Sequence, residues 1–413
     1  MRSAKISSLS ILLLLVFLQG CATAEITTSE EEKSTPFELR HGDRVVLLGN
    51  SLIQNDLEYG YIEYALTTRW PGRDITFRNL GWTGDTVHGE ARSYYTTPPD
   101  SYELLTQQLE EAEPTVVFVA YGANEAYAGK EGVSRFKEGL QKLLDKIDEL
   151  DARAVLLSPI PQLAGSPSGE GITQRNENLA LYSSVIAQTA AERDLRYINL
   201  FDPFRDINNK ELLTTDGVHL NENGYYFLVS VMEDQLGLSS RKSAVSIDLS
   251  GNVIESTGPT TILQNHFQDD RMQFTLAHSI LPLPPPPSET LTQEHAIRFQ
   301  VRGLNNGCYT LTADSDIAAS ASAERWSDGV QVDRGVLFRQ ANELRERIVD
   351  KNQLFFRKYR PTNRTYLVGF RSHEQGQNAK ELEQLDLFIS RLEGQIFQLR
   401  KPHPKHCTVQ SVK

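Results

Sequence analysis

Two short polar blocks contain the residue types that nucleophilic catalysis requires. Ser51 lies three residues after the end of an apolar run at 45–48, and Asp216 lies three residues before His219. A serine hydroxyl becomes a nucleophile when a histidine takes its proton, and an aspartate at this spacing can hold the histidine in the required tautomer. Ser51, Asp216 and His219 are therefore candidates for a catalytic triad.

Two further blocks can supply hydrogen-bond donors. Gly84 lies in block 79–86, whose two glycines allow the backbone to approach a ligand closely, and Asn124 lies in block 121–125. A backbone N–H of this glycine-containing block, with the side-chain amide of Asn124, could stabilise negative charge on a substrate oxygen. Each block alone also has an ordinary structural interpretation, since serines that follow strands commonly cap helices.

The elements that must position these blocks form a regular pattern. From residue 43 to about 236, short apolar runs alternate with amphipathic stretches, which predicts a parallel sheet covered by helices. In such a sheet, polar residues that follow the strands meet at one crevice. The predicted strands are 45–48, 75–77, 116–119, 154–157 and 197–200, and the predicted helices are 57–69, 102–111, 133–150, 175–193 and 222–236.

The sequence changes character after about residue 240. Residues 244–333 are rich in Thr, Ser, Val and Gly, which predicts a small β-rich module. From residue 335, two helical stretches at 336–358 and 378–399 predict a C-terminal helical hairpin. The predicted units are an α/β domain at 41–240, a β-rich module at 241–333 and a helical hairpin region at 334–413.

Residues 1–20 have the layout of a signal peptide: two basic residues, an apolar run at 11–18, and a small residue before Cys21. The ending resembles a bacterial lipobox, in which the cysteine is lipidated and becomes the new N-terminus. A plain signal peptide or an uncleaved anchor is the alternative. Lipidation at Cys21 would anchor the protein in the cell envelope, with Ala22 favouring the outer membrane, and residues 21–40 would form a polar tether.

Net charge and cysteine content limit which binding partners, disulfides and metal sites the chain can have. The chain has 42 Lys and Arg against 54 Asp and Glu, a formal net charge of −12, so no nucleic-acid partner is expected. Cys308 and Cys407 either form one disulfide or remain two buried free thiols. The cluster of His403, His406 and Cys407 lacks a second ligand pair and is interpreted as a solvated tail, so no metal site is predicted.

Taken together, the four blocks resemble the SGNH hydrolases, also called the GDSL esterase/lipase family. The similarity covers residues 43 to about 236 and implies a flavodoxin-like three-layer α/β/α sandwich with a five-stranded parallel sheet. It implies that Ser51 is the nucleophile, His219 the base and Asp216 its orienting partner. It also implies an oxyanion hole formed by the backbone N–H groups of Ser51 and Gly84 and the side-chain amide of Asn124.

Two residues depart from the family pattern, because Asn50 and Glu125 stand where aspartates are usual. The wider sequence also resembles SGNH-type lipoproteins of planctomycete-like bacteria. His373 and Glu374 could reach the crevice and shape substrate binding, or belong to an ordinary loop between helices.

The resemblance implies a serine esterase that removes short acyl groups, with acetyl favoured, from a carbohydrate such as an acetylated polysaccharide. Hydrogen-bond donors polarise the ester in this chemistry, so no cofactor is expected. One alternative is a catalytically weak SGNH scaffold whose C-terminal half binds surface polysaccharide or protein. Another is an acyltransferase with the same triad. The sequence leaves the oligomeric state open.

Overall fold

A parallel five-stranded sheet forms the centre of the N-terminal half in the computed structural model, which describes residues 36–92, 100–163, 171–268, 271–286, 295–361 and 378–412. The strand order is β2-β1-β3-β4-β5, which is the flavodoxin-like order. All five predicted strands are confirmed. They are β1 (Arg44–Gly49), β2 (Thr76–Gly81), β3 (Val116–Ala120), β4 (Arg153–Leu157) and β5 (Arg196–Ile198).

Helices cover both faces of this sheet. Val45 and Leu47 of β1 pack with α2 and α7 on one face, whereas Val46 and Leu48 pack with α3, α4 and α5 on the other. Burial on both faces explains why the strands are continuous apolar runs, and it confirms the α/β/α sandwich. The helices are α1 (Ser51–Gln54), α2 (Tyr61–Arg69), α3 (Ser101–Glu111), α4 (Val133–Glu149), α5 (Ile172–Glu192), α6 (Phe201–Asp206) and α7 (Glu222–Gln235).

Two smaller sheets follow, in the region where the sequence predicts β-structure. Their facing sides share one hydrophobic cluster that includes Phe299 and Trp326, the latter from the short helix α8 (Ala323–Asp328). One sheet has the order β13-β10-β6-β7, from β6 (Ser243–Asp248), β7 (Val253–Thr257), β10 (Ile297–Arg302) and β13 (Val330–Val332). The other has the order β12-β11-β14-β9-β8, from β8 (Thr260–Gln268), β9 (Arg271–His278), β11 (Cys308–Ala313), β12 (Asp316–Ser322) and β14 (Lys405–Ser411).

Two long helices, α9 (Arg339–Tyr359) and α10 (Asn378–Leu399), pack against each other, which confirms the predicted helix pair. Helix α9 also packs on the N-terminal domain, because Leu344 and Ile348 belong to the same core cluster as α2 and α7. Beside them, the buried Lys351 ammonium donates a 2.7 Å hydrogen bond to Glu63 of α2. Residues from Pro36 onward form one compact unit, and the domain boundaries at 240 and 333 stay predictions.

The interpretation of the C-terminal segment as a solvated tail is wrong. Strand β14 lies between β9 and β11, with Cys407 and Val409 buried. Alternation of these apolar residues with polar ones gives the strand one buried face. No cluster of His, Cys, Asp and Glu that could hold a metal ion occurs among the described residues.

Of the two alternatives for Cys308 and Cys407, the structure does not show the disulfide, because both are free thiols. Cys407 pairs in register with Ala313, at the opposite end of β11 from Cys308. Five residues of extended strand separate the two positions by about 17 Å, well beyond the span of a disulfide. Cys308 is exposed rather than buried, so the alternative of two buried thiols holds only for Cys407.

Several predictions lie outside the described residues. These are the signal peptide at 1–20, Cys21 with most of the tether, and the pair His373 and Glu374. Within the described ranges, no helix combines the length and apolar character that a membrane span requires.

Candidate active site

A cleft of about 260 Å³ opens beyond the carboxyl ends of the parallel strands. Ser51, Gly84, Asn124 and His219, one from each predicted block, all line it. Asp216 joins them through His219. The sheet therefore brings the five predicted residues together at one site, as expected for residues that follow parallel strands.

Ser51 is the first residue of α1, and Asn50 alone separates it from the end of β1. The side chain of Asn50 accepts a 3.1 Å hydrogen bond from the backbone N–H of Leu52, so this departure from the family pattern preserves the helix cap. Gly49 allows the tight turn, since a Cβ there would lie 2.5 Å from the carbonyl oxygen of Ala120. The turn leaves Ser51 partly exposed at the cleft.

Asp216 and His219 form a close pair, with 2.6 Å between Oδ2 and Nδ1. The other carboxylate oxygen of Asp216 accepts the backbone N–H groups of Val218 and His219 at 2.9 and 2.7 Å. Partial burial opposes ionisation, but the hydrogen bonds from the backbone and ring of His219 outweigh it and lower the pKa of Asp216 to about 2. An ionised Asp216 accepts from Nδ1–H, which leaves Nε2 as the basic nitrogen.

The two candidate oxyanion donors are tied together through Asp85. Nδ2 of Asn124 donates to the carbonyl oxygen of Asp85 at 2.7 Å, which uses one of its two amide hydrogens and leaves the other for a ligand. Gly84 precedes Asp85 and has a φ of +82°, in the left-handed region that favours glycine. The same backbone segment thus orients both donors.

A buried polar network that the sequence analysis missed lies beneath these donors. The carboxylate of Asp85 accepts from Nε of Arg92 at 2.7 Å and from the hydroxyl of Tyr121 at 2.9 Å. Arg92 also donates to Gln108 and to the carbonyl of Leu80, at 2.6 and 2.9 Å. Asp85, Arg92 and Tyr121 are buried, so the network fixes the loop that carries Gly84.

The C-terminal region supports the same loop from behind. Oε1 of Gln54 accepts the backbone N–H of Thr83 at 2.7 Å and Nη1 of Arg360 at 2.8 Å. The hydroxyl of Tyr359 donates to the carbonyl of Gly81 at 2.6 Å. Residues 81–84, which we call the Gly84 loop, are therefore held between α1 and the end of α9.

Glu125, the second departure from the family pattern, connects two further backbone segments. Its carboxylate oxygens each accept a 2.9 Å hydrogen bond, from the N–H groups of Val87 and Gly122. Burial, which outweighs these hydrogen bonds, raises the pKa of Glu125 to about 7. The longer side chain thus alters the local hydrogen bonds and leaves the amide of Asn124 in place.

Arg175 of α5 lines the cleft as well, and the sequence analysis missed it. Its Nη2 donates to the carbonyl of Ala123 at 2.6 Å, next to Asn124. Arg175 falls in an amphipathic helix without a motif, so no local signal distinguishes it from a solvated arginine.

Comparisons with known proteins bear on the family and the fold. Residues 47–227 match the model of the GDSL-like lipase/acylhydrolase family. No curated protein matches the chain.

Several solved structures are similar to this chain at low sequence identity, and the first of the following shares its fold. A gut microbial diltiazem-metabolizing enzyme is 17% identical with a TM-score of 0.71, over 92% of this chain and 100% of its own. A catalytic mutant of Axe2, an acetylxylan esterase from Geobacillus stearothermophilus, is 18% identical with a TM-score of 0.37, over 49% of this chain and 97% of its own. A GDSL-like lipase from Bacteroides thetaiotaomicron is 16% identical with a TM-score of 0.36, over 47% and 88%. With the family match, the chain is identified as carrying an ester hydrolase domain of the SGNH, or GDSL-like, family.

Proposed function

We propose that this protein is a serine esterase that hydrolyses short acyl esters, with acetyl as the acyl group and an acetylated carbohydrate as the substrate. The observation that carries the proposal is the 2.6 Å bond between Asp216 and His219 in the cleft that Ser51 also lines. The cleft volume of about 260 Å³ lies at the small end for ligand sites, which favours a short acyl group.

In the first half of the reaction, Oγ of Ser51 attacks the ester carbonyl carbon while Nε2 of His219 takes the hydroxyl proton. The ionised Asp216 stabilises the imidazolium that forms. The carbonyl oxygen becomes negative and accepts hydrogen bonds from the N–H groups of Ser51 and Gly84 and from the amide of Asn124. One such donor typically contributes about 2.7–4 kcal/mol to lowering the barrier.

In the second half, the imidazolium gives its proton to the leaving alcohol as the bond between carbonyl carbon and alkoxy oxygen breaks. Water then attacks the acyl-serine, His219 takes a proton from the water, and Ser51 recovers its proton as the carboxylic acid leaves. Water is the co-reactant in this scheme. A sugar hydroxyl in its place would make the protein an acyltransferase.

The test uses the protein without residues 1–20 and with Cys21 replaced, and compares it with its Ser51→Ala variant. We expect the fastest nitrophenol release from the acetyl ester, release of acetate from acetylated xylan, and a loss of at least about 10³-fold in Ser51→Ala. Ser184→Ala, an exposed serine of α5, is the matched control. Full activity in Ser51→Ala would overturn the esterase proposal. A preference for long acyl chains, or no acetate from xylan, would overturn the substrate assignment.

We also propose lipid attachment at Cys21, on the strength of the sequence at 11–21 alone. The Cys21→Ser variant of the full chain should move from the membrane fraction to the soluble fraction and lose incorporation of labelled fatty acid. Unchanged membrane association of that variant would contradict the anchor.

A further inference from the structure

Arg175 is the one Lys, Arg, Asp or Glu side chain among the described residues that line the cleft. No carboxylate within the described ranges forms a salt bridge with it. The charge of its guanidinium is therefore uncompensated at a site where the remaining lining is neutral or apolar. A buried or half-buried charge without a partner is costly, so its presence calls for an explanation.

The guanidinium of Arg175 is held firmly on two sides. Nη2 donates to the carbonyl of Ala123 at 2.6 Å, and the centre of the guanidinium lies 3.6 Å from the ring centre of the exposed Tyr127. The other terminal nitrogen of the guanidinium, Nη1, is buried and has no hydrogen-bond partner in the structure. Since buried donors are almost always satisfied, Nη1 is a donor whose acceptor comes from elsewhere.

The position of this donor relates it to the reacting ester. Ala123 directly precedes Asn124, whose amide is a proposed oxyanion donor, and Tyr127 lines the same cleft. An acceptor for Nη1 would thus come from a molecule bound in the same cleft. A carboxylate satisfies both the N–H and the charge, whereas a neutral oxygen satisfies the N–H alone, and charge-assisted hydrogen bonds are about twice as strong as neutral ones.

We propose that Arg175 binds a carboxylate of the substrate, so that the enzyme prefers esters that carry an anionic group near the ester bond. This inference rests on the proposed esterase function and narrows its substrate class. The carboxylate could belong to the acyl part, as in a hemiester of a dicarboxylic acid, or to the alcohol part, as in an acetylated uronic acid. In both cases the group that Arg175 recognises is a carboxylate.

The test measures kcat/KM on two matched substrate pairs with the protein that lacks residues 1–20. One pair is nitrophenyl hydrogen succinate against nitrophenyl butyrate, which places the carboxylate on the acyl side. The other is acetylated glucuronic acid against its methyl ester, which places it on the alcohol side. We expect the wild type to favour the charged member of one pair, and that pair identifies the side that Arg175 contacts.

Arg175→Gln retains an amide donor and removes the charge. We expect it to lower kcat/KM for the favoured charged substrate about ten- to hundredfold, mainly through KM, and to lower kcat/KM for the neutral member by a smaller factor, because loss of the bond to Ala123 affects both substrates. Arg175→Lys keeps the positive charge but loses the planar guanidinium, so its kcat/KM for the charged substrate should lie between the values of the wild type and Arg175→Gln. Arg205→Gln, an exposed arginine of α6 paired with Asp206, is the control and should change neither substrate.

Equal losses on charged and neutral substrates in Arg175→Gln would overturn the inference, because Arg175 would then act through Ala123 on the position of Asn124. A wild type that prefers the neutral member of both pairs would overturn it too. In either case the neutral esters are still hydrolysed, which separates this failure from failure of the esterase proposal, where no ester would be hydrolysed.

Discussion

Nη1 of Arg360 donates a 2.8 Å hydrogen bond to Oε1 of Gln54, although 306 positions separate the two residues in the chain. The same oxygen accepts the backbone N–H of Thr83. Gln54 lies on the helix that begins with Ser51, and Thr83 directly precedes Gly84. A residue of the C-terminal region thus connects the helix of the proposed nucleophile with the loop of a proposed oxyanion donor.

Replacing Arg360 should therefore slow the chemical step. We expect Arg360→Ala to lower kcat on nitrophenyl acetate about five- to thirtyfold with little change in KM, because the Gly84 loop loses part of its support and the donor moves from its optimal position. Arg360→Lys, which can still reach Gln54, should recover part of the rate. Arg347→Ala on the same helix, whose partner is the exposed Asp350, is the control. Equal effects of the 347 and 360 substitutions would contradict this role.

Asn124→Ala removes the proposed side-chain donor. We expect kcat to fall by about 10²- to 10³-fold, equivalent to 2.7–4 kcal/mol, while KM changes little, because the interaction strengthens as negative charge develops. The kinetics should be read beside thermal unfolding, since Asn124 also bonds the carbonyl of Asp85. A rise in KM at constant kcat would instead assign Asn124 to ground-state binding.

Asp216→Asn tests the tautomer of His219. The new amide oxygen can accept the two backbone N–H groups that Asp216 accepts now, which turns the amide nitrogen toward Nδ1 and places the ring proton on Nε2. We expect a loss of about 10⁴-fold in kcat with an unchanged circular dichroism spectrum. Asp206→Asn, at an exposed position, should be neutral. A loss of less than tenfold at residue 216 would argue against the triad.

The raised pKa of Glu125 predicts that the free energy of unfolding depends on pH. Its pKa rises from 4.5 to about 7 on folding, so between these values the folded state holds a proton that the unfolded state has lost. The contribution of Glu125 to the free energy of unfolding therefore decreases as pH rises from about 4.5 to 7 and is constant above.

Urea unfolding of the wild type and Glu125→Gln at pH 5, 6, 7 and 8 measures this effect. The wild type should lose stability relative to the variant as pH rises from 5 to 7, and the difference should then level off. The variant should be less stable throughout, because a glutamine cannot accept from both Val87 and Gly122. A difference that does not vary with pH would exclude the raised pKa.

The two cysteines should differ in reactivity. Cys308 is exposed, whereas burial raises the pKa of Cys407 to about 12 and leaves almost no thiolate at neutral pH. In the protein with Cys21 replaced, a thiol reagent should label one cysteine in the native state and two in urea. Cys308→Ser should abolish the native labelling. Two reactive thiols in the native protein would mean that β14 opens readily.

The sequence predicted most of the sheet and the proposed site because both leave local patterns. Strands buried on both faces are apolar runs, and the residues at the crevice follow those runs at fixed places in the chain. Strand β2 extends to Gly81, beyond its predicted end at residue 77. Asn79 lies outside the predicted strand, but it is buried and its amide donates to the carbonyl of Ile53. A single polar residue satisfied within the core has no distinct sequence signal.

Arg92, Arg175 and Arg360 were not predicted as parts of the site, for a related reason. Their partners lie at spacings that no helix or strand periodicity marks, from 7 positions for Arg92 and Asp85 to 306 for Arg360 and Gln54. An isolated arginine in the sequence is therefore indistinguishable from a solvated one. Strand β14 was missed because seven residues beside prolines carry too short an alternation to identify a strand.

The packing of α9 also changes how the C-terminal half should be tested. Deleting residues 241–413 would remove Leu344 and Ile348 from the core of the α/β domain and leave Glu63 buried without Lys351. Loss of carbohydrate binding in such a deletion would therefore report unfolding as readily as a missing binding surface. Single substitutions such as Arg360→Ala avoid this ambiguity.

The place of β14 between β9 and β11 sets an order of events as the chain emerges, whether from the ribosome or, in an exported protein, from the membrane. Both neighbours emerge before α9 and α10, and neither can complete its pairing until residues 405–411 have emerged. Closure of this sheet is thus a late, non-local step, which predicts slow maturation of the nascent chain. Until then the edges of β9 and β11 are unpaired, and a strand from another polypeptide could insert between them. Overproduction of the protein is therefore expected to increase its dependence on chaperones.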